Sequence, residues 1–183
     1  MDDIVKQALL KWPNVLHCFG WLGLDARGNW YMRDDRAQAQ GAFASGVPGA
    51  KGSLLQHAKL IDFIQRNYAA DSDGQWYFQN GPQPVYVELE STPWIWRVSG
   101  GFQIAAHDGT AAIWRQCLVD DLGWLYCETN IGFGLVHTQD VAHAAEAIEQ
   151  QLWTVTEVKR SELPQRYGYV CSPQERQATK KPV

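Results

Sequence analysis

The sequence predicts an α+β protein: an antiparallel β-meander built from repeated strand-turn-strand motifs, with about three helices. Three observations predict it. First, Asp-x-x-Gly followed by a Tyr three residues past the Gly occurs at Asp25–Tyr31, Asp71–Tyr77 and Asp120–Tyr126, with a Trp in each interval. Second, the middle of the chain is a series of short runs rich in Val, Ile, Trp and Tyr, separated by Gly-containing turns. Third, apolar residues recur at helical spacing near 2–11, 53–68 and 138–152.

Each element follows from local chemistry. Ile4, Val5, Ala8, Leu9 and Trp12 form the apolar stripe of a first helix, which Pro13 stops. "CFGWLGLDARGNWYMRD" reads as a hairpin, with Asp25 opening the turn and Gly28 at its left-handed position. The Ala-, Gly- and Gln-rich stretch 35–52 lacks periodicity and is expected to be a surface loop or mobile insertion. Ser53 is expected to cap the second helix, with Leu54, Ala58, Ile61, Ile64 (or Gln65) and Tyr68 on its buried face. "QWYFQ" and "PVYVELE" flank Asn80-Gly81, a strong hairpin signal. "WIWRV", "FQIAA", "AAIWRQCLV" and "WLYCET" continue the meander, turning at Gly100-Gly101, His107-Asp108-Gly109 and the third Asp-x-x-Gly. "NIGFG" is expected to be a Gly-rich loop before the closing helix, and the polar end "QERQATKKPV" is expected to fray. These pieces suggest one compact unit of three segments: residues 1–52, 53–160 and 161–183.

Composition excludes several classes. A net charge of -4 and an isoelectric point near 5.7 do not suit a nucleic-acid-binding surface, which needs a basic face. No window approaches the roughly 18 apolar residues needed to span a bilayer, so no membrane partner is expected. The start "MDDIVKQALL" lacks the apolar core of an export signal, and the four cysteines contain no CxxC pair. A cytoplasmic location with reduced thiols is the expectation.

The spacing of "GNWY", "LLQHAKLIDFIQRNY", "DGQWYF", "VYVELESTPW" and "TNIG" resembles a proteobacterial family of unknown function. More distantly, it is similar to a second uncharacterised family of repeated strand-turn-strand motifs. The resemblance spans about two thirds of the chain, and "DGQWYF" through "STPW" is its most specific part. It implies a repeat-built α+β fold and a link to signalling, and it carries over no catalytic residue. The stretch "RAQAQGAFASGVPGAKG" departs from the family pattern.

Catalytic and metal signatures are weak. The Asp-x-x-Gly turns lack the ligand series of a calcium loop, which ends in Glu. His137 and His143 lie six apart rather than at the four-residue spacing of a helical metal pair, and no GxSxG is present. No metal and no cofactor are therefore expected. Cys117 and Cys127 should face each other across the third hairpin, with β-carbons about 5 Å apart, either as small apolar residues or as a redox pair. The better surface candidates are aromatic. Trp94 and Trp96 share one face of a strand and Arg97 lies on the other, while Trp114 and Arg115 sit on a later strand. Such a face could stack a planar or acidic small molecule, or pack against a second copy as a homodimer. Asn130, Gly132, Gly134 and His137 add a candidate anion-binding turn before the last helix. The expected function is a binding or scaffold protein rather than an enzyme. The alternative is a hydrolase acting on a phosphorylated or carboxylated molecule near His137 and Asp140.

Overall fold

The computed structural model describes residues 1–180. These form six α-helices and thirteen strands in two sheets. By compactness the chain divides into two units. The first comprises Met1–Asp25, Asn29–Glu90 and the chain from Tyr169; the second comprises Ser91–Gly168 with Ala26–Gly28.

The first unit opens with helix α1 (Asp3–Lys11), close to expectation. Strands β1 (Cys18–Leu24) and β2 (Trp30–Met32) form the first hairpin, and Leu24 pairs with Trp30. The stretch 35–52 is not the mobile loop expected. It holds helix α2 (Asp35–Gln40), capped by the Asp34 carboxylate on the Ala37 amide, and it buries Phe43 and Ala50. Its organiser is Arg33, wholly buried, whose guanidinium donates to the carbonyls of Ala50 at 2.9 Å, Gly41 at 2.6 Å and Gly20 at 3.2 Å. Satisfying a buried guanidinium requires several converging acceptors, and this loop supplies two of them.

The second helix is shorter than expected. Ser53–Leu54 form strand β3 on β2, leaving Leu54 exposed, and α3 runs from Ala58 to Arg66. The imidazole of His57 accepts the Leu60 amide, so His57 rather than Ser53 caps the helix. Strands β4 (Tyr68–Ala70), β5 (Trp76–Asn80) and β6 (Gln83–Leu89) complete a sheet in the order β3-β2-β1-β6-β5-β4.

In the second unit, β7 (Trp94–Val98), β8 (Ile104–Ala106), β9 (Ala111–Ala112), β10 (Trp114–Asp120), β11 (Leu125–Thr129) and β12 (Gly132–Val136) precede helix α4 (Val141–Glu149). Strand β13 (Val155–Val158) and helix α5 (Leu163–Tyr167) follow. The sheet order is β13-β10-β11-β12-β7-β8-β9.

The sheets are mixed rather than purely antiparallel. β1–β6, β10–β13 and β12–β7 are parallel pairs, and all other pairs are antiparallel. The sequence could not reveal this, because turn chemistry specifies hairpins and leaves the pairing of one hairpin with the next open.

The polar end of the chain is docked. Helix α6 (Pro173–Lys180) belongs to the first unit. The buried Glu88 carboxylate accepts the Ser172 hydroxyl at 2.5 Å and the Gln174 amide at 3.0 Å, while the Cys171 carbonyl accepts the Leu89 amide. The expectation of fraying read composition alone and missed these anchors. The last three residues of that stretch lie outside the described residues.

The three Asp-x-x-Gly segments are one turn used three times. The first N–H donates to the fifth residue's carbonyl in each: Asp25 to Asn29, Asp71 to Gln75 and Asp120 to Trp124, at 2.9–3.0 Å. The Asp carboxylate accepts the fifth residue's amide in each, at 2.8–2.9 Å. Gly28, Gly74 and Gly123 adopt φ of 81°, 76° and 81°, the left-handed region that glycine enters at no steric cost. Tyr31, Tyr77 and Tyr126 occupy equivalent ladder positions, opposite Gly23, Ala69 and Leu118.

Candidate functional site

The aromatic strand β7 divides its residues between two environments. Trp94 and Trp96 stack with centroids 6.0 Å apart, and Trp96 is fully buried with its indole N–H donating to the Cys127 carbonyl. They pack in a core with Val98, Cys117, Ala144, Ala147 and Trp153, beneath α4. Trp96 is thus a core residue, and Trp94 is partly buried against the same core.

Gly132 and Gly134 belong to that same packing. A β-carbon on Gly134 would lie 2.4 Å from the Trp94 carbonyl oxygen and 2.6 Å from the Trp96 indole nitrogen; one on Gly132 would lie 2.9 Å from the Trp94 indole nitrogen. "GFG" is strand β12, parallel to β7 with Gly134 opposite Trp94, and not the anion-binding loop expected. Glycine is needed there so that two indoles can lie against a neighbouring strand. Asn130 is a brace: its side chain accepts the Ile113 amide at 2.7 Å and its own amide donates to the Ile113 carbonyl. Arg115 is exposed.

Cys117 and Cys127 are directly opposed, as the turn register predicts, and both are fully buried. Contact with Cys117, together with burial, pushes the Cys127 thiol well above its ordinary range. Both thiols lie within the apolar core cluster of the second unit.

His137 is buried, and its Nδ1 accepts the Gln139 amide at 3.1 Å. An imidazole accepting at Nδ1 carries its proton on Nε2. Asp140 precedes α4, but its side chain does not cap that helix. Its carboxylate instead receives Nε of Arg97 on one oxygen, Nη2 of Arg97 on the other at 3.2 Å, and the Val98 amide at 3.1 Å. These bonds, led by that from Arg97, hold the Asp140 carboxyl below the usual carboxylate range despite burial.

Arg97 and Asp140 form one end of an open groove of about 840 Å³ in the second unit. The β7–β8 turn, β9, Trp114 and His143 complete its wall. Trp114 and Arg97 are thus the two sequence candidates that the fold brings to one concave surface. Trp114 stacks on Trp153 at 5.6 Å, and its buried Nε1 makes no hydrogen bond. A register shift between Trp114 and Gln116 turns Trp114 onto the α4 side of the sheet, beside the Cys117 cluster. The groove wall holds one carboxylate, Asp140, already committed to Arg97.

Sequence reasoning missed Phe102. The turn Ser99-Gly100-Gly101-Phe102 repeats the hydrogen bonds of the Asp-x-x-Gly turns: Ser99 N–H donates to Gln103 at 3.0 Å, Phe102 N–H donates to Ser99 at 2.9 Å, and Ser99 Oγ accepts the Gln103 amide. The left-handed position is filled by Phe102 at φ 58°. A bulky residue there costs about 1–2 kcal/mol, and Phe102 lines the groove. The signal was present in the sequence: the two glycines fall one residue short of the position that the other turns reserve for glycine.

Among the described residues no helix is long and apolar enough to cross a membrane, and no group of three or more His, Cys, Asp or Glu side chains could hold a metal ion. No protein of curated function matches the chain. The chain belongs to the family DUF2944, described as "Protein of unknown function (DUF2946)", whose model matches residues 1–174. A solved structure similar to this chain is that of a DUF1285 family protein from Silicibacter pomeroyi DSS-3. It is 11% identical with a TM-score of 0.49, and the match covers 80% of this chain and 84% of that one.

Proposed function

We propose that this protein is a binding protein whose groove takes a small molecule carrying a planar ring and an anionic group. The observation that carries the reading is Phe102, held in the left-handed region on the groove wall although two glycines precede it. Backbone strain of this kind clusters where a site needs a particular side chain in a particular place. Arg97 supports the anionic half. Two of its five donors engage Asp140, and its side chain is half exposed, so the remaining N–H groups can meet a carboxylate or phosphate. Phe102 and the Trp114 indole support the planar half. Binding fits better than hydrolysis, because the one groove carboxylate is tied to Arg97 and His137 Nδ1 to a backbone amide. General acid–base work needs a free pair of such groups.

A thermal-shift screen of planar anionic metabolites tests this, since a ligand specific for the folded state raises stability by mass action. Compounds that stabilise the protein should lose that effect in Arg97→Ala and in Phe102→Gly. Stabilisation unchanged in both variants would refute the assignment of the groove.

A further inference from the structure

The first unit holds an apolar cavity of about 240 Å³ between α3 and its sheet. Trp21, Met32, Phe63 and Phe78 contribute to its walls, its polar lining residues are Cys18 and Asn80, and no charged residue lines it. Trp21 and Met32 remain 41% and 50% exposed, unusual for large apolar side chains beside a cavity.

A second observation shows that Trp21 is placed there at a cost. Along the parallel β1–β6 pair, Cys18 faces Val85 and Leu22 faces Val87, so four residues of β1 advance against two of β6. This bulge contains Gly20 at φ 81°. It lets Trp21 line the same cavity as Cys18 and Leu22, which strict alternation would forbid. The buried Arg33 holds the bulge, its guanidinium bonded to the Gly20 carbonyl and its N–H to the Trp21 carbonyl at 2.9 Å. A buried guanidinium needs its converging acceptors, so Arg33 fixes the bulge in place, and bulges recur where a side chain is re-aimed toward a site.

We propose that this cavity is a second binding site, for a neutral apolar ligand of one to two rings, with Trp21 as its cover. An apolar cavity of about 150 Å³ holds benzene, so the volume here accommodates a larger ring system. The uncharged lining excludes ionised ligands, which could not be desolvated without a partner. This site does not depend on the groove reading, which concerns anionic molecules and the other unit.

The test uses the full chain with two probes, naphthalene and naphthalene-2-sulfonate, and reads alkylation of individual thiols by mass spectrometry. Cys18 lines the cavity, whereas Cys171, also part-exposed, does not and serves as the internal reference. At naphthalene concentrations about nine times Kd, the free fraction falls about tenfold, and Cys18 alkylation should slow by that factor while Cys171 is unchanged. The sulfonate should protect neither. Val85→Phe, which fills the cavity, should abolish protection. Trp21→Ala, at a part-exposed position, should weaken naphthalene by about tenfold. Equal protection of Cys18 by the sulfonate, protection undiminished in Trp21→Ala, or no protection at the solubility limit of naphthalene would each overturn the proposal.

Discussion

Two turns of the second unit share one hydrogen-bond pattern and differ in what fills it. At Asp120–Gly123 the buried carboxylate accepts the Leu122 and Trp124 amides and the Tyr126 hydroxyl, and Gly123 takes the left-handed position with open space where a β-carbon would stand. At Ser99–Phe102 a hydroxyl replaces the carboxylate and a phenylalanine replaces the glycine. At the first turn the Asp120 carboxylate satisfies the turn amides and Gly123 meets the left-handed position without strain. The second turn accepts a weaker cap and a strained residue, and it borders the groove. Local chemistry is optimised at one turn and forgone at its counterpart, and that contrast is what the proposed groove reading rests on.

The largest effect is expected from Asp120→Ala. It removes three hydrogen bonds to an ionised acceptor and leaves the buried Tyr126 hydroxyl without that partner, and should cost about 3 kcal/mol, read by urea unfolding. A cost near zero would show that the carboxylate does not hold the turn.

Next comes the left-handed position itself. Gly123→Ala meets no steric obstacle, so its penalty is the backbone term alone, about 1 kcal/mol. The same preference should appear at the strained turn, with Phe102→Gly more stable than Phe102→Ala by about 1 kcal/mol. If Gly and Ala were equivalent at 102, the strain argument for the groove would fail.

The smallest effect concerns Arg97. Because its side chain is half exposed, Arg97→Ala should cost only about 0.5 kcal/mol near neutral pH. Its signature is the pH dependence. The Asp140 carboxyl is held low in the folded protein, so the pair's contribution is present above the unfolded carboxyl's value of about 4. It is lost as pH falls through the lower folded value. Stability curves of the two proteins should therefore converge in acid, and a gap that widens in acid would contradict the pairing.

The sequence by itself determined the hairpins. Asp, Gly and the following aromatic residues specify their turn within seven residues, and the register that sets Cys117 against Cys127 follows from it. The first helix was legible for a related reason: its apolar period is contained in a dozen residues. Only the tertiary structure decided the rest. Nothing local marks Arg33 as buried; the folded 35–52 stretch brings the Gly41 and Ala50 carbonyls around it. Gly132 and Gly134 read as a Gly-rich, anion-binding turn until Trp94 and Trp96 arrived from a strand almost forty residues earlier. The groove joins Arg97, Phe102 and Trp114 to Asp140, and that assembly depends on parallel pairing of β12 with β7 and on one bulge in β10. Turn chemistry acts through bonds a few residues long, whereas pairing between hairpins is fixed by which faces must be buried together. That choice belongs to the folded chain as a whole.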